Sequence, residues 1–346
     1  MIRRVIPFLA ALSVIAPAVS VCLAQDASRP TDSEQRLVVV VRGTSGAEEY
    51  GRQFDEWADR WMTAAKQGRA NAVRIGPLES EAESADAIND HQKLQRTLAG
   101  FGTKHGADDA AELWLVLIGH GTFDGRTARF NLDGPDVSAD ELSRWLEPIR
   151  CRTTIVNCAS SSGPFLKTLA RNGRVVITAT KSGAEQNFSR FGDYLSQAIG
   201  DASFDLDKDG QTSLFEAFLS ASRRTEQFYE TEGRLATEHA LLDDTGDGQG
   251  TRADFFRGIR LVKKATDGTQ ADGRVAHQFH LVRSAAEQSL RADIRDARDE
   301  IERQVLSLRD RKKQFANDVE YYAELELLLI QLAEIYEKAA SKPKAN

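Results

Sequence analysis

LWLVLIGHG, residues 113–121, is a run of six apolar residues that stops on Gly119, His120 and Gly121. An unbroken apolar run of this length suits a strand buried on both faces. TTIVNCASSSG, residues 153–163, follows the same plan and ends in a turn of small residues. LVVVV at 37–41, NAVRI at 71–75 and VVITAT at 175–180 read the same way. Helical spacing fills the gaps. Phe54, Trp57, Ala58, Trp61 and Ala65 share one helix face, and helices are also expected over about 86–98, 164–170 and 191–198. Ser138 or Asp140 is placed to cap a helix carrying Leu142, Trp145 and Leu146. TARFNL at 127–132 alternates like a small exposed strand. Strands alternating with helices predict an α/β fold, a mostly parallel sheet flanked by helices. Loops at the strands' carboxyl ends carry the chemistry of such sheets, which puts His120 beside the CASSSG turn.

The first residues bear on compartment. Arg3 and Arg4 precede an apolar run to about Val21, and Cys22 and Ala24 supply small residues for cleavage after Ala24. This is the pattern of a secretory signal peptide over residues 1–24, so an exported protein is expected, periplasmic or secreted. An uncleaved anchor is the other reading; after cleavage no stable membrane span is expected. The mature chain, Gln25 to Asn346, has 322 residues and a formal net charge of −9 in place of −7. Such an acidic chain without a basic face is a poor partner for nucleic acid. It keeps two cysteines, Cys151 and Cys158. Residues seven apart on an extended strand lie roughly 23 Å apart, and a disulfide needs Cα atoms within about 7 Å, so these two are not expected to pair.

The chain divides into a polar leader at 25–36, an α/β region at 37–282 and a C-terminal segment at 283–346. The last has no Gly or Pro from Ser284 to Ala340. Ile294, Ile301, Leu308, Phe315, Tyr322, Leu329 and Tyr336 recur every seven residues, a heptad seam. Asn317 with Glu320 matches a capping box, which favours a helical hairpin turning near Asn317. Its apolar stripe would pack on itself or on the main domain, or drive self-association as a coiled coil through 283–340.

His120, on a Gly-His-Gly turn after a buried strand, is placed to act as a base. The Gly121 N–H is placed to meet a developing oxyanion, and a nucleophile on the next strand's end would lie within reach. Taken alone, a histidine on such a turn is more often only a loop residue. LWLVLIGHG followed about thirty residues later by TTIVNCASSSG resembles the caspase and legumain group of cysteine peptidases, clan CD, peptidase C13-like. In that group one apolar strand ends in His-Gly and the next in X-Ala-Cys, with a glycine shortly after. The resemblance covers residues 37–222 in strand order and motif. It implies a His–Cys dyad. Laid on this chain, Cys158 takes the X place, Ala159 the Ala place and Ser160 the catalytic cysteine's place. It also implies that Thr180, Ser182, Glu185 and Arg190 lie where the family builds its primary specificity pocket.

The departure at Ser160 matters chemically. A serine hydroxyl needs a well-aligned base, usually oriented by a third group. Cys158 precedes Ser160 by two strand positions, about 6.6 Å, and is expected to be buried. Two function classes therefore stand. One is a degenerate (pseudo-)peptidase that binds calcium and a protein or peptide partner. The other is an active cysteine- or serine-type endopeptidase with His120 as base, Ser160 or Cys158 as nucleophile, and Gly121 in the oxyanion hole.

DLDKDGQTSLFE at 205–216 places Asp205, Asp207, Asp209, Gly210, the Gln211 carbonyl, Ser213 and Glu216 at calcium-loop positions, resembling an EF-hand. Thr212 stands where a branched apolar residue is usual. A weaker copy, DDTGDGQGTRAD at 243–254, offers Asp243, Thr245, Asp247, Thr251 and Asp254. An acidic helix cap explains the first loop equally simply, and a Gly-rich surface turn the second. His239 reads as structural, and His91, His105, His277 and His280 form no metal-ligand spacing.

Overall fold

The computed structural model describes residues 35–77, 88–106, 110–263 and 271–341; the expected signal peptide and nearly all of the expected polar leader lie outside these. Along the chain, β1 (Arg36–Arg42), α1 (Glu48–Gln67), β2 (Asn71–Ile75), α2 (Asp90–His105) and β3 (Glu112–Ile118) come first. Then come β4 (Gly121–Phe123), β5 (Ala128–Phe130), β6 (Val137–Ser138), α3 (Ala139–Leu146), β7 (Arg152–Asn157), α4 (Gly163–Leu169) and β8 (Arg174–Thr178). After α5 (Phe191–Ala198) and α6 (Leu214–Thr231), β9 (Leu241–Asp243) closes the main sheet. Its order is β2-β1-β3-β7-β8-β9, with every pairing parallel except β8 to β9.

The apolar runs are unbroken because both faces are covered. Val38, Val40, Trp114, Val116 and Val156 face one layer, made by α1, α5 and α6. Val39, Val41, Leu113, Leu115, Leu117 and Ile155 face the other, made by α2, α3 and α4. The expected helix face of Phe54, Trp57, Ala58, Trp61 and Ala65 is buried in the first layer. Between the two expected caps the structure selects Ser138: its hydroxyl accepts from Glu141 N, and Glu141 answers on the Ser138 N–H, a full capping box. The TARFNL strand is shorter than expected and not exposed. Ala128 and Phe130 are buried in the small antiparallel sheet β4-β5-β6.

After a short hairpin, β10 (Phe256–Arg257) with β11 (Arg260–Leu261), and the short α7 (Ala285–Ser289), the chain ends in α8 (Ala292–Asp310) and α9 (Asp318–Ser341). These form the expected hairpin, and Asn317 Oδ1 accepts from Glu320 N at 3.0 Å at its turn. The seam does not run through both helices. Ile301 and Leu308 are buried on α8, whereas Tyr322, Leu329 and Tyr336 on α9 stay exposed and Tyr321 is buried instead. The turn at 311–317 resets the helical phase, so a repeat continuous in sequence is not continuous in space. No helix of the described residues is long and apolar enough to cross a membrane. Cys151 and Cys158 are both buried and form no disulfide with each other, in keeping with the strand between them.

Candidate active edge and metal loop

Strands β3 and β7 are parallel neighbours, so their carboxyl ends bring His120 and the 158–163 turn to one edge. Contact is close because Gly121 lacks a side chain: a Cβ there would lie 2.3 Å from Ser160 O. Ser160 is buried, and its hydroxyl is spent on Gly121. Oγ accepts from Gly121 N at 3.3 Å and donates to Gly121 O at 3.2 Å. Among the described residues His120 makes no hydrogen bond to Ser160. Its Nε2 lies 3.1 Å from Ser45 O, and its ring stands edge-on to Tyr50, Phe54 and Phe188. Burial in this aromatic setting lowers the imidazole's pKa, opposed by the Ser45 carbonyl.

The turn itself is braced by the segment after β8. Ser161 has a left-handed backbone, φ 53°, and its N–H donates to Glu185 O at 2.8 Å. Ser162 Oγ and Thr180 Oγ1 are 3.1 Å apart, and Gly163 N donates to Thr180 Oγ1 at 2.9 Å. Two atoms near this turn, Ser161 Oγ and Asn157 Nδ2, are buried without a hydrogen-bond partner. Glu185 carries His239 on its carboxylate, and Arg190 lies over the Phe188 and Phe228 rings.

Cys158 is not at this edge. It continues the alternation of β7 into the core layer, is 1% exposed, and packs so closely on Gly192 that a Cβ there would lie 2.7 Å away. Burial, with Glu238 adding to it, pushes the thiol far up. A thiol so placed is a poor nucleophile, which removes Cys158 from the catalytic candidates. Asp124 is no third member for His120 either: it pairs with Arg129 at 2.9 Å and accepts from Arg126 N and Thr127 N.

The first acidic loop gathers oxygens. Single carboxylate atoms of Asp205, Asp207 and Asp209 lie within 4.8 Å of one another. Lys208 and Gly210, with φ 67° and 92°, turn the chain so that their N–H groups reach Asp205. Ser213 and Glu216 form a capping box at the start of α6. Glu216 Oε1 also accepts from Leu206 N at 2.7 Å and Asp207 N at 3.2 Å. Gln211 turns its side chain to Ser284 N and Asp209.

The second loop does not converge in this way. Asp243 accepts from Gly246 N and Gly248 N, and Asp247 from Gln249 N. Thr245 lies against Asp243, Thr251 is held by Asp272, and Asp254 is drawn off by Lys263 at 2.8 Å. The cation reading of Asp243–Asp254 is thus replaced by a glycine turn around Asp243, with Asp272 as an organising acid missed in the sequence. Its carboxyl accepts from Asp244 N, Thr245 N and Thr251 N, and burial raises its pKa to about 7.

Two histidines dismissed on spacing reach the first loop. His277 Nε2 is 3.0 Å from Asp207 Oδ2, and His280 Nε2 is 4.0 Å from Asp209 Oδ2. The signal available was H-x-x-H within the segment AHQFH, but it lies some sixty residues beyond the loop it meets.

No family model and no curated protein matches this chain. Among solved structures, the Drosophila initiator caspase Dronc is similar at a TM-score of 0.41 and 10% identity, over 72% of this chain and 97% of that one. Caspase-1 from Spodoptera frugiperda is similar at 0.38 and 9%, over 61% of this chain and 86% of that one.

Proposed function

We propose that this chain is an exported caspase/legumain-like domain whose peptidase site is degenerate. It binds a divalent cation, calcium on the sequence reading, at 205–216, and a protein partner through its C-terminal arm. The observation that carries the loss of activity is the Ser160–Gly121 pair. The hydroxyl proton goes to a backbone carbonyl, the Gly121 N–H is engaged by Oγ, and His120 is turned to Ser45. A serine nucleophile needs all three free: a base on its proton, and a donor for the oxyanion. The arm supports partner capture by its exposed Val319, Tyr322, Leu327, Leu329, Ile330 and Tyr336.

The second reading, an active endopeptidase, is favoured by one feature, the arrival of His120 and Ser160 at neighbouring strand ends. Incubating the mature protein with a mixed peptide library, with and without millimolar calcium, separates the two. Beside it run His120→Ala, Ser160→Ala and Cys158→Ala. The proposal expects no cleavage in any sample. Turnover lost in both His120→Ala and Ser160→Ala would establish the enzyme instead.

A further inference from the structure

The loop at 205–216 is oxygen-rich by sequence, yet the fold sets two imidazoles against it. His277 lies in the 3₁₀ turn Ala276–Gln278, and His280 follows it. This strap is fixed at both sides. Leu214 N donates to Phe279 O at 2.8 Å at the start of α6, and the Arg36 guanidinium bonds His280 O and Leu281 O. The backbone that carries the two rings is therefore fixed beside the loop.

One imidazole nitrogen of His277 and one carboxylate oxygen each from Asp207 and Glu216 lie within 4.8 Å of one another. Asp207 is shared with the second group, Asp205, Asp207 and Asp209. His280 is a separate observation. Its side chain is nine-tenths buried and its Nε2 points at Asp209 from 4.0 Å. Among the described residues that ring makes no hydrogen bond at all. The Asp209 carboxylate is the polar group it approaches, and a cation seated at the loop would engage both.

We propose that His277, Asp207 and Glu216, flanked by Asp209 and His280, form a mixed imidazole–carboxylate site for a zinc-class divalent cation. The proposal rests on reading 205–216 as a cation loop and changes which cation it takes. Calcium fills its shell with six to eight oxygens, whereas imidazole suits zinc and its transition-metal neighbours. Two bonds of about 2.1 Å at the tetrahedral angle place their donor atoms about 3.4 Å apart; His277 Nε2 lies 3.0 Å from Asp207 Oδ2, a few tenths of an ångström closer. Asp207 and Glu216 together balance a dication while neutral histidines add donors without charge. A simple His277–Asp207 hydrogen bond has the same length, so the test must tell the two apart.

The full mature chain, stripped with chelator, is dialysed to equilibrium against Co2+, Zn2+ and Ca2+ in separate cells. Co2+ binding is also followed by its visible absorption. His277→Gln is the decisive variant, because that ring reaches solvent and glutamine keeps an oxygen donor while losing the imidazole. His280→Gln is run beside it, with circular dichroism to check both folds. The expected result is one Co2+ per chain, displaced by Zn2+. Affinity falls at least ~10-fold in His277→Gln, since even outer-shell partners are worth ~10–100-fold, and Ca2+ binding does not fall with it. Co2+ affinity unchanged in His277→Gln would overturn the proposal. Binding of Ca2+ alone would also overturn it while leaving the cation-loop reading intact. Binding of none of the three ions would sink both.

Discussion

Ser160 is clasped by Gly121: its Oγ accepts the Gly121 N–H at 3.3 Å and donates to the Gly121 carbonyl at 3.2 Å. The clasp joins the ends of β3 and β7 and occupies the donor that an oxyanion would need.

Ser160→Ala removes a buried hydroxyl that serves both a donor and an acceptor. Leaving a buried backbone group unsatisfied costs about 1–3 kcal/mol. Urea unfolding should report a loss in that range with an unchanged slope, and no loss would mean that the clasp is weak or water-filled.

The thiols should be silent in the folded mature protein. Cys151 and Cys158 are both buried and not joined in a disulfide, and burial holds the Cys158 thiol protonated. Ellman's reagent is expected to titrate neither until denaturant is added, then both. Fast reaction of Cys158 in the native state would return it to the list of nucleophiles.

Glu112 should govern part of the acid limb. Burial alone would raise its pKa, but Arg36, Arg283 and Arg152 and the Trp114 N–H outweigh it and bring it from 4.5 to about 2. The folded value is below the unfolded one, so the stabilisation is complete above pH 4.5 and is lost as pH falls toward 2. At about 1.4 kcal/mol per unit this is on the order of 3 kcal/mol. Unfolding midpoints across that window should fall steeply in wild type and flatten in Glu112→Gln. That variant should also be weaker at pH 7, because Arg36 and Arg283 lose a buried partner.

Asp254→Asn should leave the stoichiometry of bound divalent cation at one per chain. Its carboxylate is engaged by Lys263, while Asp243 is taken up by Gly246 N and Gly248 N. A second ion per chain, lost in Asp254→Asn, would restore the second loop as a site.

The exposed side of α9 predicts concentration-dependent self-association. Leu329→Glu with Ile330→Glu places two charges among Tyr322, Leu327 and Tyr336 on that helix. Sedimentation velocity should shift toward the monomer. A wild-type chain that is already monomeric at high concentration would turn attention to a different partner.

Much of the scaffold was legible in local pattern. Runs such as Val38 to Val41 and Leu113 to Ile118 suit a strand buried on both sides, and the Phe54–Trp57–Trp61 spacing suits a helix that covers it, as the two core layers bear out. Cys158 was expected in the interior because an unpaired cysteine in such a chain is usually buried, and it is. Caps at Ser138 and Asn317 were visible because each involves residues three apart. What local pattern carried was therefore the period of burial and the chemistry of turns.

Only the tertiary structure decided what the site residues bond. Whether His120 faces Ser160 or Ser45 depends on a loop 75 residues away, and the Ser160–Gly121 clasp spans 39. The two acidic loops read alike, but Lys263 and Asp272 dismantle one while His277 and His280 are carried to the other. The heptads of α8 and α9 likewise part company at a turn. Periodicity is a property of neighbours along the chain. Hydrogen-bond partners are chosen among neighbours in space, which the packing of the sheet and its helices brings together.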